Sequence, residues 1–173
     1  MLLSKLSQIL NIKNTYDFTQ NKKFYHITSN SSLTNKKTIF IYDNNSNIKT
    51  KYINEAINNK VPAIISNKYL KSVYVPQFIV HDLKKEIELL LKYLYKKPPY
   101  KSIAITGTNG KTSVVWYISK ILNLLNYNTA TLGTLGYYKN CKKINEINLT
   151  TPAYEEIYKY GSSNKKNIFI FEA

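Results

Sequence analysis

The feature that most constrains this chain is a short loop, Gly107-Thr108-Asn109-Gly110-Lys111-Thr112, which lies between an apolar strand pattern and an apolar helix pattern. Residues 102–106 have the composition of a buried strand. The residues after the loop repeat at helical spacing, namely Val114, Val115, Tyr117, Ile118, Ile121, Leu122 and Leu125. A strand, a glycine-containing loop ending in Gly-Lys-Thr and a helix form the P-loop arrangement. The strict pattern would need glycine in place of Ile105, so this loop is a shortened relative of the common one.

Each part of this loop suits a phosphate ligand. Glycines allow a tight turn that brings backbone N–H groups onto phosphate oxygens. The helix N-terminus adds unpaired N–H donors and a partial positive charge. Lys111 can reach the outer phosphates as a catalytic cation, and the Thr112 hydroxyl can ligate Mg²⁺. The loop therefore predicts that a nucleoside triphosphate and Mg²⁺ are the cofactors, bound by Gly107, Thr108, Asn109, Gly110, Lys111, Thr112 and Ser113.

The rest of the chain alternates helix and strand patterns, which favours sheets covered by helices. The segments before the loop are a helix near Leu2–Leu10, strands at Thr38–Tyr42, Val61–Ile65 and Phe78–Val80, and a helix at Leu83–Tyr95. Pro98 and Pro99 cannot continue that last helix. We therefore predict two domains, residues 1–97 and residues 98–173.

Two further strand patterns follow the loop, at Tyr127–Leu132 and Asn167–Ala173. Glu172 is the penultimate residue of the second pattern. An acid at the end of a strand that neighbours a P-loop is the expected second Mg²⁺ ligand, so Glu172 is a candidate catalytic and metal-binding residue. The stretch after the prolines is small for a complete P-loop sheet, and the sequence predicts a truncated second domain.

Composition narrows the function classes. The formal charge is +15, but the basic residues are 25 lysines without any arginine, the residue that most often reads bases and phosphates bidentately. We therefore expect no nucleic-acid partner. Apolar runs are too short to cross a bilayer, so no membrane insertion is predicted. The single cysteine, Cys141, cannot form an internal disulfide, which favours the cytoplasm.

Thr106 to Thr112 resembles the ATP-binding signature of the Mur ligases, which add amino acids to UDP-N-acetylmuramic acid in cell-wall synthesis. Other segments resemble motifs of that family in the same order: His26 to Ser32 followed by Thr38 to Ile41, Leu132 to Tyr137, Leu149 to Pro152, and Phe171 to Ala173. Asn30, Ser32 and Leu149 depart from the family's usual residues. The later motifs resemble the branch that adds the third amino acid.

The resemblance implies a small N-terminal α/β domain that binds the UDP-sugar, followed by the start of a central ATPase domain with a mainly parallel sheet. It also implies that diaminopimelate or lysine is joined to UDP-N-acetylmuramoyl-L-alanyl-D-glutamate through an acyl phosphate, by an enzyme that is monomeric at full length. The substrate-binding residues that it implies are Ser29, Ser31, Thr150 and Thr151.

Less specific interpretations stay open at this point. Thr150 and Thr151 could cap a helix that begins near Pro152. A folylpolyglutamate synthetase shares the loop but usually has glycine where Thr112 stands. A nucleotide-binding module without catalysis is the third alternative.

Overall fold

The computed structural model describes residues 1–10, 12, 22–44, 50–71, 73–97, 99–146, 151–164 and 166–173. These residues divide into two compact units, Met1–Leu94 and Tyr95–Ala173. The division falls within a few residues of the proline pair that marked the boundary in the sequence.

The first unit is an α/β layer with a wholly parallel sheet in the order β1-β2-β3-β4. Its elements are α1 (Leu3–Ile9), β1 (His26–Thr28), a 3-10 turn (Ser31–Leu33), β2 (Thr38–Tyr42), α2 (Thr50–Asn58), β3 (Ile64–Ser66), β4 (Gln77–Ile79) and α3 (Leu83–Leu94). All residues of β2 are buried, because a parallel strand inside a sheet is covered on both faces.

The second unit carries a mixed sheet in the order β5-β9-β6-β7-β8. Its strands are β5 (Lys101–Ile105), β6 (Thr129–Gly133), β7 (Gly136–Lys139), β8 (Lys142–Asn145) and β9 (Ile168–Glu172), and its helices are α4 (Lys111–Leu124) and α5 (Tyr154–Ser162). The strands β5, β9 and β6 run parallel, whereas β6, β7 and β8 form an antiparallel meander. The α/β class predicted from the sequence is confirmed, and the meander is an addition to it.

The strand β9, which lies between β5 and β6, has one helix on each of its faces. Ile168 and Ile170 pack with Val115 of α4, whereas Phe169 packs in the cluster that includes Ile157 of α5. Successive side chains of a strand point to opposite faces, so Glu172 lies on the α4 face, like Ile168 and Ile170. This alternation directs the carboxylate of Glu172 to the start of α4.

The structure corrects two local interpretations of the sequence. The strand β5 lies at one end of the sheet order, and its residues are exposed or half-buried rather than buried, because strand order cannot be inferred from local composition. The helix α5 begins at Tyr154 with Ala153 at its N-cap, so Thr151 does not cap it. In the described part of the chain, no helix is long and apolar enough to cross a membrane.

Candidate functional site

The loop between β5 and α4 has the backbone that a phosphate cradle requires. Gly107 has a φ of 147° and Gly110 a φ of 79°, and side-chain-bearing residues rarely adopt such positive values. Gly110 is the N-cap of α4, so Lys111, Thr112 and Ser113 form the first helical turn. The first N–H groups of a helix have no partners inside the helix, and they point outward from its N-terminus.

These donors are open to solvent. The loop residues Gly107, Thr108, Asn109 and Gly110 are all exposed, as is Ser113, while Lys111 and Thr112 are half-buried. The structure therefore brings all seven residues predicted to bind the cofactor to one exposed strand-to-helix turn.

The side chain of Lys111 folds back over this turn. Its Nζ atom donates a hydrogen bond to the carbonyl oxygen of Gly107 at 2.5 Å. The ammonium group is thereby held at the mouth of the loop. An anion entering the cradle would meet a positive charge that is already in place.

Glu172 lies directly behind the first turn of α4. Glu172 is 1% exposed, and the Thr112 hydroxyl donates a hydrogen bond to the Oε2 atom of Glu172 at 3.1 Å. The two residues lie 60 positions apart in the sequence and meet because β9 pairs with β5. The two predicted metal ligands are thus neighbours at the carboxyl ends of parallel strands, where α/β sheets bind ligands.

A threonine beyond the end of β6 holds the same carboxylate. The backbone N–H of Thr134 donates to Oε1 of Glu172 at 2.8 Å, and its hydroxyl donates to Oε2 at 3.0 Å. The preceding residue, Gly133, lies so close that a Cβ atom there would approach Oε1 to 2.2 Å. Both residues belong to the Leu132–Tyr137 segment that resembles a family motif, but neither is among the site residues predicted from the sequence. The motif itself was the signal that could have identified them.

The donor set fits Mg²⁺. A hydroxyl and a carboxylate are hard oxygen ligands, and adjacent ligands of an octahedral Mg²⁺ with bonds of about 2.0–2.1 Å lie about 2.9 Å apart. The observed separation of 3.1 Å between Thr112 Oγ1 and Glu172 Oε2 is close to that value. Among the described residues, no group of three or more His, Cys, Asp or Glu side chains could hold a metal. Two oxygen donors from the protein suit Mg²⁺, which usually binds one or two carboxylates and takes its other ligands from phosphate and water.

A small cavity adjoins this cluster on the α4 face of the sheet. It is lined by Thr112, Val115, Trp116, Thr131, Gly133, Leu135, Gly136 and Glu172. Trp116 also contacts Tyr138 edge to face, with ring centroids 5.3 Å apart. The only tryptophan of the chain is therefore next to the candidate metal ligands, where it can serve as an optical probe.

The predicted substrate-binding residues that the structure describes lie in two different units. Ser29 is exposed just after β1, whereas Ser31 is 4% exposed and its hydroxyl donates to Glu55 Oε2 at 2.6 Å. The Ser31 carbonyl accepts hydrogen bonds from Thr34 and Asn59. Thr151 is exposed ahead of α5, and Thr150 lies outside the described residues. The structure brings Ser29 and Ser31 together at the carboxyl end of β1, in the first unit, and places Thr151 in the second.

Comparison with known proteins places this geometry in context. Residues 105–173 match the family described as the Mur ligase middle domain. The UDP-N-acetylmuramoyl-L-alanyl-D-glutamate--2,6-diaminopimelate ligase of Rickettsia prowazekii (strain Madrid E) is 30% identical over 118 residues, which are 68% of this chain and 25% of that protein. The ligase of the same name from Alkaliphilus oremlandii (strain OhILAs) is 34% identical over 110 residues, or 62% of this chain and 22% of that protein. The chain thus spans about a quarter of the length of these relatives.

Two solved structures share the fold. A structure of UDP-N-acetylmuramoyl-L-alanyl-D-glutamate--2,6-diaminopimelate ligase matches with a TM-score of 0.66 at 22% identity, over 97% of this chain and 35% of that one. The UDP-N-acetylmuramoylalanyl-D-glutamyl-2,6-diaminopimelate--D-alanyl-D-alanyl ligase from Acinetobacter baumannii matches with a TM-score of 0.55 at 18% identity, over 98% of this chain and 35% of that one. At these identities the likeness concerns the fold alone, and it extends over both units.

Proposed function

We propose that this chain, whose residues 105–173 match the Mur ligase middle domain, forms the ATP- and Mg²⁺-binding part of a peptidoglycan-precursor ligase. The observation that carries this proposal is the meeting of the exposed glycine loop, Lys111, Thr112 and buried Glu172 at the carboxyl ends of β5 and β9. ATP would bind along the loop, with its outer phosphates near Lys111 and the first turn of α4.

The proposed reaction is the joining of a third amino acid to UDP-N-acetylmuramoyl-L-alanyl-D-glutamate. A carboxylate oxygen of the substrate attacks the γ-phosphorus of ATP, ADP leaves, and an acyl phosphate forms. The amine of the incoming amino acid then attacks the acyl carbon and loses a proton, and inorganic phosphate leaves with the former carboxylate oxygen. Activation is needed because a carboxylate does not expel an oxygen leaving group when an amine attacks it.

The residues of this chain would act on the first half of that reaction. Lys111 would neutralise charge that grows on the transferring phosphoryl group, and the N–H groups of the loop would orient it. Thr112 and Glu172 would hold Mg²⁺, which supplies further charge neutralisation on the phosphate oxygens when bound. Because these groups are already positioned by β5, α4 and β9, they need little rearrangement as the charge develops.

The identity of the substrates is part of the proposal. The relatives named above carry diaminopimelate in their names, which supports diaminopimelate over lysine as the added amino acid. We assign the UDP-sugar to the predicted N-terminal domain, residues 1–97, where Ser29 is exposed beyond β1. Ser31 is turned toward Glu55 and would shape that turn rather than contact the sugar directly. Thr150 and Thr151 would contact the peptide part of the substrate.

The complete ligation is proposed for a longer protein or an assembly that contains this chain, because the named relatives are about four times as long as the matched part. We place that protein in the cytoplasm, as a monomer, where ATP and the UDP-linked precursor are available. The chain alone is expected to bind nucleotide without forming the peptide bond.

Nucleotide binding by the chain itself tests this proposal. Trp116 fluorescence is followed while ADP or ATP is added with and without Mg²⁺, and binding is expected to be tighter with the metal. Lys111→Ala should weaken binding, whereas Lys142→Ala, at an exposed lysine of β8, should not. A chain that folds but binds neither nucleotide under any metal condition would contradict the proposal.

A further inference from the structure

The carboxylate of Glu172 is held by groups that belong to neither the glycine loop nor α4. Thr134 donates twice to it, from its backbone N–H to Oε1 at 2.8 Å and from its hydroxyl to Oε2 at 3.0 Å. The two contacts engage both oxygens, so they fix the rotation of the carboxylate as well as its position. A single hydrogen bond from Thr112 to Oε2 would leave that rotation free.

Gly133 limits the same carboxylate from the side. The register of β6 against β9 pairs Leu132 with Phe171, which puts Gly133 next to Glu172 on the α4 face. A Cβ atom at Gly133 would approach Oε1 to 2.2 Å and Cδ to 2.5 Å. No real side chain tolerates such distances, and Glu172 is 1% exposed and hydrogen-bonded on both oxygens, so it has little room to withdraw.

We infer that Gly133 and Thr134 are positioning residues that set the carboxylate of Glu172 for divalent-cation binding beside Thr112. This inference rests on the proposed function, because it assumes that the cation arrives with a nucleotide. Thr134 acts through Glu172, by orienting both oxygens, and Gly133 acts by leaving space for the carboxylate. Partners that orient a metal-binding carboxylate in this way typically change metal affinity by roughly 10- to 100-fold when they are removed.

An alternative role for Thr134 is simply to satisfy a buried charge, which would affect folding alone. The two roles differ in what the conservative variants do. Thr134→Ser keeps both the backbone N–H and the hydroxyl donor, and it should preserve the wild-type geometry of the site. Thr134→Val keeps the shape and the backbone donor but loses the hydroxyl, and Gly133→Ala keeps every donor but occupies the space of Oε1. The matched control is Gly161→Ala, because a Cβ atom there meets Phe169 at an ordinary 3.5 Å.

The first readout needs no nucleotide. The side-chain carboxylate ¹³C signal of Glu172 and the backbone amide proton signal of Thr134 are recorded by NMR in the folded chain and in each variant. The Glu172 signal should shift in Gly133→Ala and in Thr134→Val, and should stay close to its wild-type position in Thr134→Ser and Gly161→Ala. Unchanged Glu172 signals in both disruptive variants would overturn the positioning role, whether or not the chain binds nucleotide.

The second readout measures the affinity of the chain for a divalent cation. Mn²⁺ binding to the chain with ADP is followed by electron paramagnetic resonance and by quenching of Trp116, and metal-free ADP binding is measured in parallel. Mn²⁺ affinity should fall by roughly tenfold or more in Thr134→Val and Gly133→Ala, while metal-free ADP affinity stays within about twofold. Equal Mn²⁺ affinity in wild type and both variants would refute the inference. Failure of the wild-type chain to bind ADP would instead remove the proposed function and leave the NMR result to decide the positioning role.

Discussion

Each unit of this protein contains a hydroxyl that donates to a glutamate, and the two pairs differ in their surroundings. In the first unit Ser31 donates to Glu55 at 2.6 Å, and in the second Thr112 donates to Glu172 at 3.1 Å. In the first pair the hydroxyl is the buried partner and the glutamate lies on an exposed helical position. In the second pair the carboxylate is buried and the hydroxyl belongs to a helix start beside an exposed loop.

This difference separates a structural contact from a candidate ligand site. Ser31 forms hydrogen bonds through both its side chain and its backbone, since its carbonyl oxygen also accepts hydrogen bonds from Thr34 and Asn59. The bonds to Glu55 and from Asn59 join the 3-10 turn to α2 and to the residue that follows it, and they leave little capacity for a ligand. Around Thr112 the neighbouring groups are the helix N-terminus and the ammonium of Lys111, which attract anions. The chemistry of a pair therefore depends on which charges and donors surround it.

The largest expected effect is a loss of turnover when Lys111 is replaced. In a complete ligase that contains this chain, Lys111→Ala should lower kcat by at least about a hundredfold, because a contact to the transferring phosphate is felt most in the transition state. ATP-dependent joining of diaminopimelate to the UDP-dipeptide is the assay. Near-normal turnover in the variant would mean that the loop is not the ATP site.

The next prediction compares how the two glutamates contribute to Mg²⁺ affinity. Glu172→Gln should weaken Mg²⁺ in the nucleotide complex by roughly tenfold or more, because a neutral amide is a poorer ligand for a hard cation. Glu55→Gln should leave Mg²⁺ affinity unchanged. Titration of Mg²⁺ into the ADP complex, followed by Trp116 fluorescence, measures both. Equal losses of Mg²⁺ affinity in the two variants would contradict the assignment of Glu172 as the metal ligand.

A smaller effect concerns stability. Ser31→Ala should lower the free energy of unfolding by about 1–2 kcal/mol, because a partly buried hydrogen bond to a charged group is lost. Nucleotide affinity should stay at the wild-type value. Urea unfolding gives the first quantity and the Trp116 titration gives the second. A Ser31→Ala chain with normal stability but impaired UDP-sugar binding would assign this serine to the substrate instead.

The smallest effect is the response to alkaline pH. Burial raises the pKa of Tyr95, and Glu156 and Glu155 raise it further. A raised pKa in the folded state gives stability that is present below the unfolded pKa of about 10 and is lost as the pH climbs above it. Unfolding of the second unit, followed by Trp116 at pH values from 9 upward, should become easier with pH. Tyr95→Phe should flatten this dependence, and an unchanged slope would exclude Tyr95 as its source.

Much of the second unit could be predicted because its signals are local. The Gly107 to Thr112 loop follows a strand pattern and precedes a helical repeat, and these are the elements found. Ser29 and Ser31 show where such prediction ends. Both serines lie in the same short turn, yet Ser29 is exposed and Ser31 is buried, with 4% of its surface accessible. The difference arises from α2, whose Glu55 lies 24 positions away from Ser31.

The sequence by itself determined the strand-loop-helix of the phosphate cradle, because glycine conformational freedom and apolar periodicity act within a few residues. Tertiary structure alone decided that β5 is an end strand and that Glu172 meets Thr112 and Thr134 across separations of 60 and 38 positions. Strand order and register bring those groups together, and they depend on the packing of β9 between α4 and α5. A local pattern can name a candidate carboxylate, but only the folded sheet determines which donors hold it.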